Sequence, residues 1–599
     1  MKFIQISPLA SAKYRPFLAL IVEFLLAVNW STDAQAHAFG ARYDLPLPLQ
    51  FYLIGAGGAV ALSFVIMALV FRSSTSEIGL SRIDLERYWP TRFSSLFPVT
   101  AVLQTVSVCI FLLILFAGFF GTNETLENFA PAFVWIIWWV AFAYVAALIG
   151  NFWPVVNPWK NVYEMAEYLT RRCGLQRQFD FGLSYPTWLG VWPAVGLFGI
   201  FAWFELIYEA AKQPQTLAAF ILAYSIITWL GMTAFGREQW LSKGEAFSLV
   251  FEIFGRFAPI GKSHKWQLRP YASDLIVDKP CSPSMIVFIL LMLSTVAFDG
   301  FKETPQWIEL LRWAALDPWL APLRLFLNDI GVDFFAVFST VMLVLFPLTF
   351  FSVYLATCEI ANEVSGGRHS SGEFSGLFIY SLVPIAIAYH LAHYLSYLLI
   401  SGQLIIPLAS NPFGYGWDLF GTADYRTNIG IVGAKFVWFA AVAAIVAGHV
   451  FAVGVAHIVA VRNFDTAKLA LRSQYPMLAL MVGYTMVSLW IFSQPILESP
   501  AYQTFREPSG FASLQPQGSA ETCFDMRAGE IIEYDFQSEL PVTFDIHFHD
   551  GFDNQFPVEL AGITDHKNKF TANIDQVYCL LWTNHTESAT TLSYAVGRQ

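Results

Sequence analysis

The chain has 599 residues, of which 56% are hydrophobic and only 13% charged, with a mean hydropathy of +0.51. Soluble chains carry about a quarter charged residues, so an ordinary soluble domain is excluded. The formal net charge of −11 argues against nucleic acid as a partner, because that binding needs a basic surface.

The first 36 residues have the pattern of a signal peptide. Lys2, Lys13 and Arg15 make a basic start, Phe17 to Trp30 is apolar apart from Glu23, and Ala34-Gln-Ala36 is a small-x-small cleavage site. Cleavage there would leave His37 at the N-terminus; the alternative is an uncleaved first helix. About 20 apolar residues span a bilayer core. Ten stretches qualify: Leu53–Phe71, Val99–Phe119, Phe133–Ile149, Trp188–Ile207, Leu217–Phe235, Met285–Phe298, Phe334–Cys358, Leu377–Ile400, Phe436–Val459 and Met477–Ile496. The sixth is short and is expected to extend at both ends. The segment Ala246–Ile260, interrupted by Glu252 and Arg256, reads as an amphipathic helix at the cytoplasmic interface. Lys and Arg concentrate in the loops after the first, third, fifth, seventh and ninth stretches and are sparse in the opposite loops. The positive-inside rule then places the mature N-terminus and the C-terminal tail outside the cytoplasm.

From about Gly518 the texture changes to short aromatic and β-branched runs broken by turn residues. Val542-Thr-Phe-Asp-Ile-His-Phe-His-Asp550 alternates with period two, which predicts a strand with Val542, Phe544, Ile546 and Phe548 buried. Asp545, His547 and His549 fall on its polar face. Glu530–Phe536, Phe556–Leu560, Val577–Trp582 and Thr591–Val596 read as further strands. The expected fold is an α-helical polytopic membrane protein with a C-terminal extracytoplasmic β-sandwich, divided as 1–36, 37–500 and 501–599. On Phe544-Asp-Ile-His-Phe-His549 and Tyr578-Cys-Leu-Leu-Trp-Thr-Asn584 the tail looks similar to the GOLD-type sandwiches of membrane cargo proteins. Cys523 and Cys579 both lie in it and could form a disulfide there.

Ionisable groups inside spans are costly and therefore candidates for function. His390 and His393 share a face of the eighth stretch, and His449 sits near mid-depth on the ninth. Together they could hold one divalent metal ion or a haem; they could equally hydrogen-bond between helices, line a polar cavity or relay protons. His457, near a span end, is expected to snorkel to the interface. Outside, His547 and His549 could present two imidazoles to a metal, and a free N-terminal His37 adds an amine and an imidazole, a combination suited to copper. That one residue resembles the N-terminal histidine sites of periplasmic copper proteins; the alternative is that His547 and His549 face solvent. Asp299, Asp333, Glu359 and Glu363 lie at span ends, where caps and interfacial charges are common. The sequence holds no nucleophile elbow, Walker loop, HExxH or dinucleotide fingerprint in a convincing context.

Six segments in order resemble bacterial polytopic membrane proteins identified as fenitrothion hydrolases. They are His37-Ala-Phe-Gly40 with Asp44-Leu-Pro-Leu-Pro48, Asn157-Pro-Trp159, Phe298-Asp-Gly300, Tyr389-His-Leu-Ala-His-Tyr394, the stretch from Pro412 to Gly421, and Ser473-Gln-Tyr-Pro-Met477. The resemblance covers about residues 37–500. It implies a multi-pass protein of the bacterial inner membrane that hydrolyses aryl phosphotriesters, small apolar substrates that enter from the lipid. Such chemistry usually employs a metal-bound hydroxide; His390, His393 and His449 would hold the metal, with Asp299 or a water as base. The competing expectation is a copper- or haem-handling membrane protein, redox or transport, built on His37, His547 and His549 outside and the histidines within. Both leave room for a partner membrane subunit.

Overall fold

The computed structural model describes residues 36–38, 41–43, 48–70, 82–85, 97–173, 180–262, 266–494, 502–504, 509–514, 518–550, 553–586 and 588–598. The segment read as a signal peptide lies outside the described residues, apart from Ala36. Among the described residues, ten helices are long and apolar enough to cross a membrane: Leu49–Leu69, Val99–Phe120, Phe129–Leu148, Thr187–Leu206, Pro214–Phe235, Pro283–Lys302, Phe334–Val364, Ser371–Ser410, Ala434–Asn463 and Ala467–Ser493. They coincide with the ten stretches expected from hydropathy, and the sixth extends at both ends as anticipated. The chain is a multi-pass helical membrane protein followed by an antiparallel β region.

Contacts divide it into two compact units. One comprises Met1–Gly300 and Met342–Gln494, the other Phe301–Val341 and Pro495–Gln599. In the first unit we use α1 (Leu49–Val70), α2 (Phe97–Phe120), α3 (Phe142–Leu148, continuing the π-helical turn Phe133–Ala141), α4 (Trp192–Leu206), α5 (Pro214–Phe235), α6 (Ala246–Phe257), α7 (Pro283–Lys302), α8 (Phe334–Val364, which begins in the second unit), α9 (Val383–Ser401), α10 (Ala434–Asn463) and α11 (Ala467–Ser493).

The helix α6 departs from expectation. Nine of its twelve residues are buried, among them Phe247, Phe251 and Phe254, and only Glu252 is exposed. Its two charges are close partners, Arg256 Nη2 to Glu252 Oε1 at 3.0 Å, and the guanidinium also lies over the Tyr380 ring. Pairing at i and i+4 disposes of the charges along one edge and frees the remaining circumference for apolar packing. The helix is therefore enclosed by the unit instead of resting on an interface by one face.

Two helices meet closely where α10 packs along α9. A Cβ on Gly448 would lie 2.3 Å from Ala388 Cβ and 2.7 Å from the Pro384 carbonyl oxygen. Small residues at such crossings let backbones approach in an apolar solvent, where dispersion rather than hydrophobicity drives helix association.

The second unit is a seven-stranded sheet: β1 (Tyr502–Thr504), β2 (Ser509–Leu514), β3 (Ser519–Met526), β4 (Ile531–Asp550), β5 (Asp553–Thr571), β6 (Gln576–Thr583) and β7 (Thr590–Arg598), in the order β1-β3-β6-β4-β7-β2 with β5 also on β4. The runs read as separate strands at 530–536 and 542–550 are one bent strand. Its first half pairs with β7 and its second half with β6, while β5 follows it throughout. The bend falls at Ser538 to Pro541. There Ser538 Oγ donates to the Leu540 and Thr564 carbonyls, and the Leu540 amide donates to Thr590 Oγ1. These side-chain bonds satisfy backbone groups that the proline-interrupted ladder cannot. On β5 the register slips three times, and Gly562 takes a left-handed φ of 69° there, a conformation that favours glycine. The sandwich expected from sequence thus takes the form of one sheet curled into a half-barrel. Its core holds Tyr534, Phe536, Val542, Phe544, Ile546, Tyr578, Trp582 and Tyr594. The short helices Pro305–Leu316 and Ala321–Asp329 belong to the same unit, and Arg527 pairs with Asp329 at 2.8 Å.

Substituting Gly448 tests the α9–α10 contact. Gly448→Leu should destabilise the purified protein by about 1–3 kcal/mol through overpacking. The drop would be read as a lower midpoint in thermal unfolding followed by tryptophan fluorescence; an unchanged midpoint would refute the close approach.

Candidate functional site

Three polar constellations are built into this apolar frame. The first joins two of the segments singled out above, 298–300 and 389–394. Asp299, near the end of α7, places Oδ2 2.9 Å from His393 Nε2, and the Tyr394 hydroxyl donates to the same oxygen at 2.7 Å. Both members of the hydrogen-bonded pair are largely buried, with side chains 13% and 19% exposed for His393 and Asp299. The helix spacing explains the grouping. Tyr389 and His393, four apart on α9, turn toward α7, while His390 and Tyr394 form the neighbouring face. Gly300 completes the fit, since a Cβ there would lie 2.5 Å from the Tyr389 hydroxyl. A carboxylate hydrogen-bonded to an imidazole in a low-dielectric surrounding is a unit that accepts and returns a proton.

The remaining span histidines do not converge with it. His390 is 2% exposed and turns its ring to Trp139, Tyr144, Phe254 and Tyr394, and its Nε2 has no hydrogen-bond partner among the described residues. His449 is fully buried and bonds through Nδ1 to the Ile445 carbonyl of its own helix. Among the described residues the groups that could hold a metal ion do not include His390, His393 and His449 together. Their shared assignment to one ion is therefore not supported by the side-chain placement: His390 and His393 differ by about 60° around the helix, enough to send one ring to α3 and α6 and the other to α7. His457 also differs from expectation. It is buried and pairs through Nδ1 with Gln474 Oε1 at 3.0 Å, joining α10 to α11, instead of snorkelling. Asp333 caps a helix start through the Phe335 amide, and Glu359 binds the Ser371 hydroxyl, both in keeping with roles at span ends.

The second constellation was not foreseen. Glu245 is completely buried, and its carboxylate accepts from the Phe247 and Ser248 amides at the start of α6 and from the Tyr224 hydroxyl at 2.5 Å. Burial pushes its pKa up, while those hydrogen bonds oppose the rise. The sequence offered only an acidic residue just before an apolar run, at a cap position where Ser, Thr, Asp or Asn is usual. Beside Tyr224 lies an apolar cavity of about 300 Å³, walled by Phe111, Trp138, Trp159, Phe201 and Phe247 and bounded by the π-helical turn Phe133–Ala141. None of the residues proposed from sequence as site residues lines it.

The third constellation lies in the second unit. Cys523, Cys579 and His547 are direct neighbours across β3, β6 and β4, and Glu521, Leu581 and Asp545 form the next row on the same face. The Cys523–Cys579 disulfide expected from sequence is formed. His547 does not face solvent: it is 5% exposed, with Nδ1 2.6 Å from Asp545 Oδ1 and Nε2 3.2 Å from Glu521 Oε1. Donor atoms of Glu521, His547 and Cys579 all lie within 4.8 Å of one another, so this group could hold a metal ion. Glu521 and Cys579 were missing from the sequence-derived set because their approach depends on a three-strand register. His549 is opposite Asn554 in the β4–β5 ladder, and its side chain lies outside the described residues. His37 is opposite Arg42 in a short hairpin of the first unit, and its side chain likewise lies outside the description.

No protein-family model matches the chain, and no curated protein matches it.

The imidazole of His547 offers a pH test. Burial disfavours its charge, but the hydrogen bonds and charges of Asp545 and Glu521 outweigh this and hold its pKa at about 9, above the ordinary 6.5. A raised folded-state pKa stabilises fully below the unfolded value and fades as pH climbs through the folded one. Metal-free, oxidised full chain should therefore lose thermal stability between about pH 6.5 and pH 9. His547→Gln should lack that component; an identical pH profile in the variant would refute the charged triad.

Proposed function

We propose that this chain is a membrane-embedded hydrolase of small apolar aryl triesters of phosphoric or thiophosphoric acid, with Asp299, His393 and Tyr394 as its acid–base centre. The observation that carries the reading is the meeting of Phe298-Asp-Gly300 with Tyr389-His-Leu-Ala-His-Tyr394 around one carboxylate. These are the two segments of the fenitrothion hydrolase resemblance that contain a carboxylate or an imidazole within the spans. An apolar substrate reaches a site among membrane helices through the lipid. Water held at the Asp299–His393 pair gives it a proton as the oxygen attacks phosphorus, and the aryloxide departs with the bonding electrons. A nitrophenolate leaves as an anion, and the pair returns its proton to solvent. Tyr394, donating to Asp299 Oδ2, fixes the carboxylate that receives the proton. Because the span histidines do not assemble as one ligand set, no step is routed through a metal there.

A second reading rests on Glu521, His547 and Cys579: the chain handles a metal ion through its β unit.

Release of nitrophenol from a chromogenic aryl phosphotriester by membranes carrying the chain tests the first reading. Activity should persist in a chelator and fall by about 10²- to 10⁴-fold in Asp299→Asn, the usual contribution of a positioned base. Full activity in a folded Asp299→Asn protein, or none in the wild type, would remove the acid–base centre from consideration.

A further inference from the structure

The disulfide and the metal-competent group share an atom, and that conflict is informative. Cys579 Sγ belongs to the set with Glu521 and His547, yet the same sulfur is bonded to Cys523. A disulfide sulfur has no thiolate to offer, and it is the thiolate that ligates metal. While the bond stands, the row retains one imidazole and two carboxylates around it. Everything else about the row suits an ion. Asp545 holds His547 at Nδ1, the outer carboxylate that commonly orients a ligating imidazole, and Nε2 is turned to Glu521. The two residues of the bond differ in exposure, Cys523 being exposed and Cys579 only 4% exposed.

We propose that the Cys523–Cys579 disulfide gates a divalent metal site, and that its reduction lets Cys579, His547 and Glu521 bind one ion. The proposal rests on the metal-handling reading of the β unit. A dithiol reductant attacks the sulfur of the more exposed residue, Cys523, forming a mixed disulfide there and expelling Cys579 as a thiolate. The second reductant sulfur then displaces Cys523, so two electrons pass from the dithiol to the former S–S bond. The ion enters between Cys579, His547 and Glu521, displacing the proton held by the imidazole. One sulfur, one nitrogen and one oxygen with an open fourth position is a donor set for zinc or a similar borderline cation. In an oxidising compartment the gate stays closed, so occupancy reports reducing conditions at that face of the membrane.

Cobalt(II) titration of the purified full chain in detergent tests this, with the thiolate-to-cobalt charge-transfer band as readout. Oxidised wild type should show no band. After reduction and removal of the reductant it should bind about one equivalent with the band present. Cys523→Ser leaves Cys579 as a free thiol and should give the band with no reductant at all, whereas Cys579→Ser should give it in neither state. Equal binding by oxidised and reduced wild type would overturn the gate and leave the metal reading standing. Absence of binding by reduced wild type with an unchanged melting profile would overturn both. If Cys523→Ser does not fold, the comparison of reduced wild type with reduced Cys579→Ser still decides the matter.

Discussion

A charge removed from water must be met by an opposite charge or by hydrogen-bond donors, and that requirement organises each polar feature of this molecule. Asp299 is met by an imidazole and a phenol, Glu245 by two amides and a phenol, and His547 by two carboxylates. Each solution draws on elements distant in the chain, so each fixes packing as well as charge. Asp299 ties α7 to α9, Glu245 ties α5 to the start of α6, and His547 ties β3 to β4 across the strand between them. Removing one partner would leave a buried polar group short of a hydrogen bond, a cost on the order of 1–3 kcal/mol.

The architecture was legible because hydropathy is a one-dimensional signal. Ten apolar stretches became ten helices, and the period-two pattern of 542–550 placed Val542, Phe544 and Ile546 in the core as expected. What escaped were features that depend on who stands opposite. Period two distinguishes the faces of β4 but not whether the second face is covered, so it left His547 open as a metal ligand or a solvent-facing residue and did not reveal that Asp545 and Glu521 bury it. The interruption of α6 by Glu252 and Arg256 suggested a wet edge, yet the two charges satisfy each other at i and i+4 and the helix is buried. A mid-chain charge pattern alone does not reveal that cancellation.

The span histidines show the same limit. Spacing of three on a helix placed His390 and His393 near one another, but spacing says nothing of the helices they turn toward. His393 meets a carboxylate from α7 and His390 meets aromatic rings, so two residues that looked like one ligand pair have different polar partners, although both rings pack on Tyr394. The quoted segments were more informative taken jointly. Asn157-Pro-Trp159 proves to be a helix start, with Asn157 capping the Lys160 amide and Trp159 bonded to Ser225, while 298–300 and 389–394 meet.

The bend of β4 has a consequence for how the β unit comes apart. One covalent strand serves as the hydrogen-bonding partner of β6 over one half and β7 over the other, with β5 running beside both. Neither half of the half-barrel can detach without unzipping a strand the other half needs. The shared strand therefore couples the opening of the ladder around His547 to that of the half of the sheet that pairs with β7.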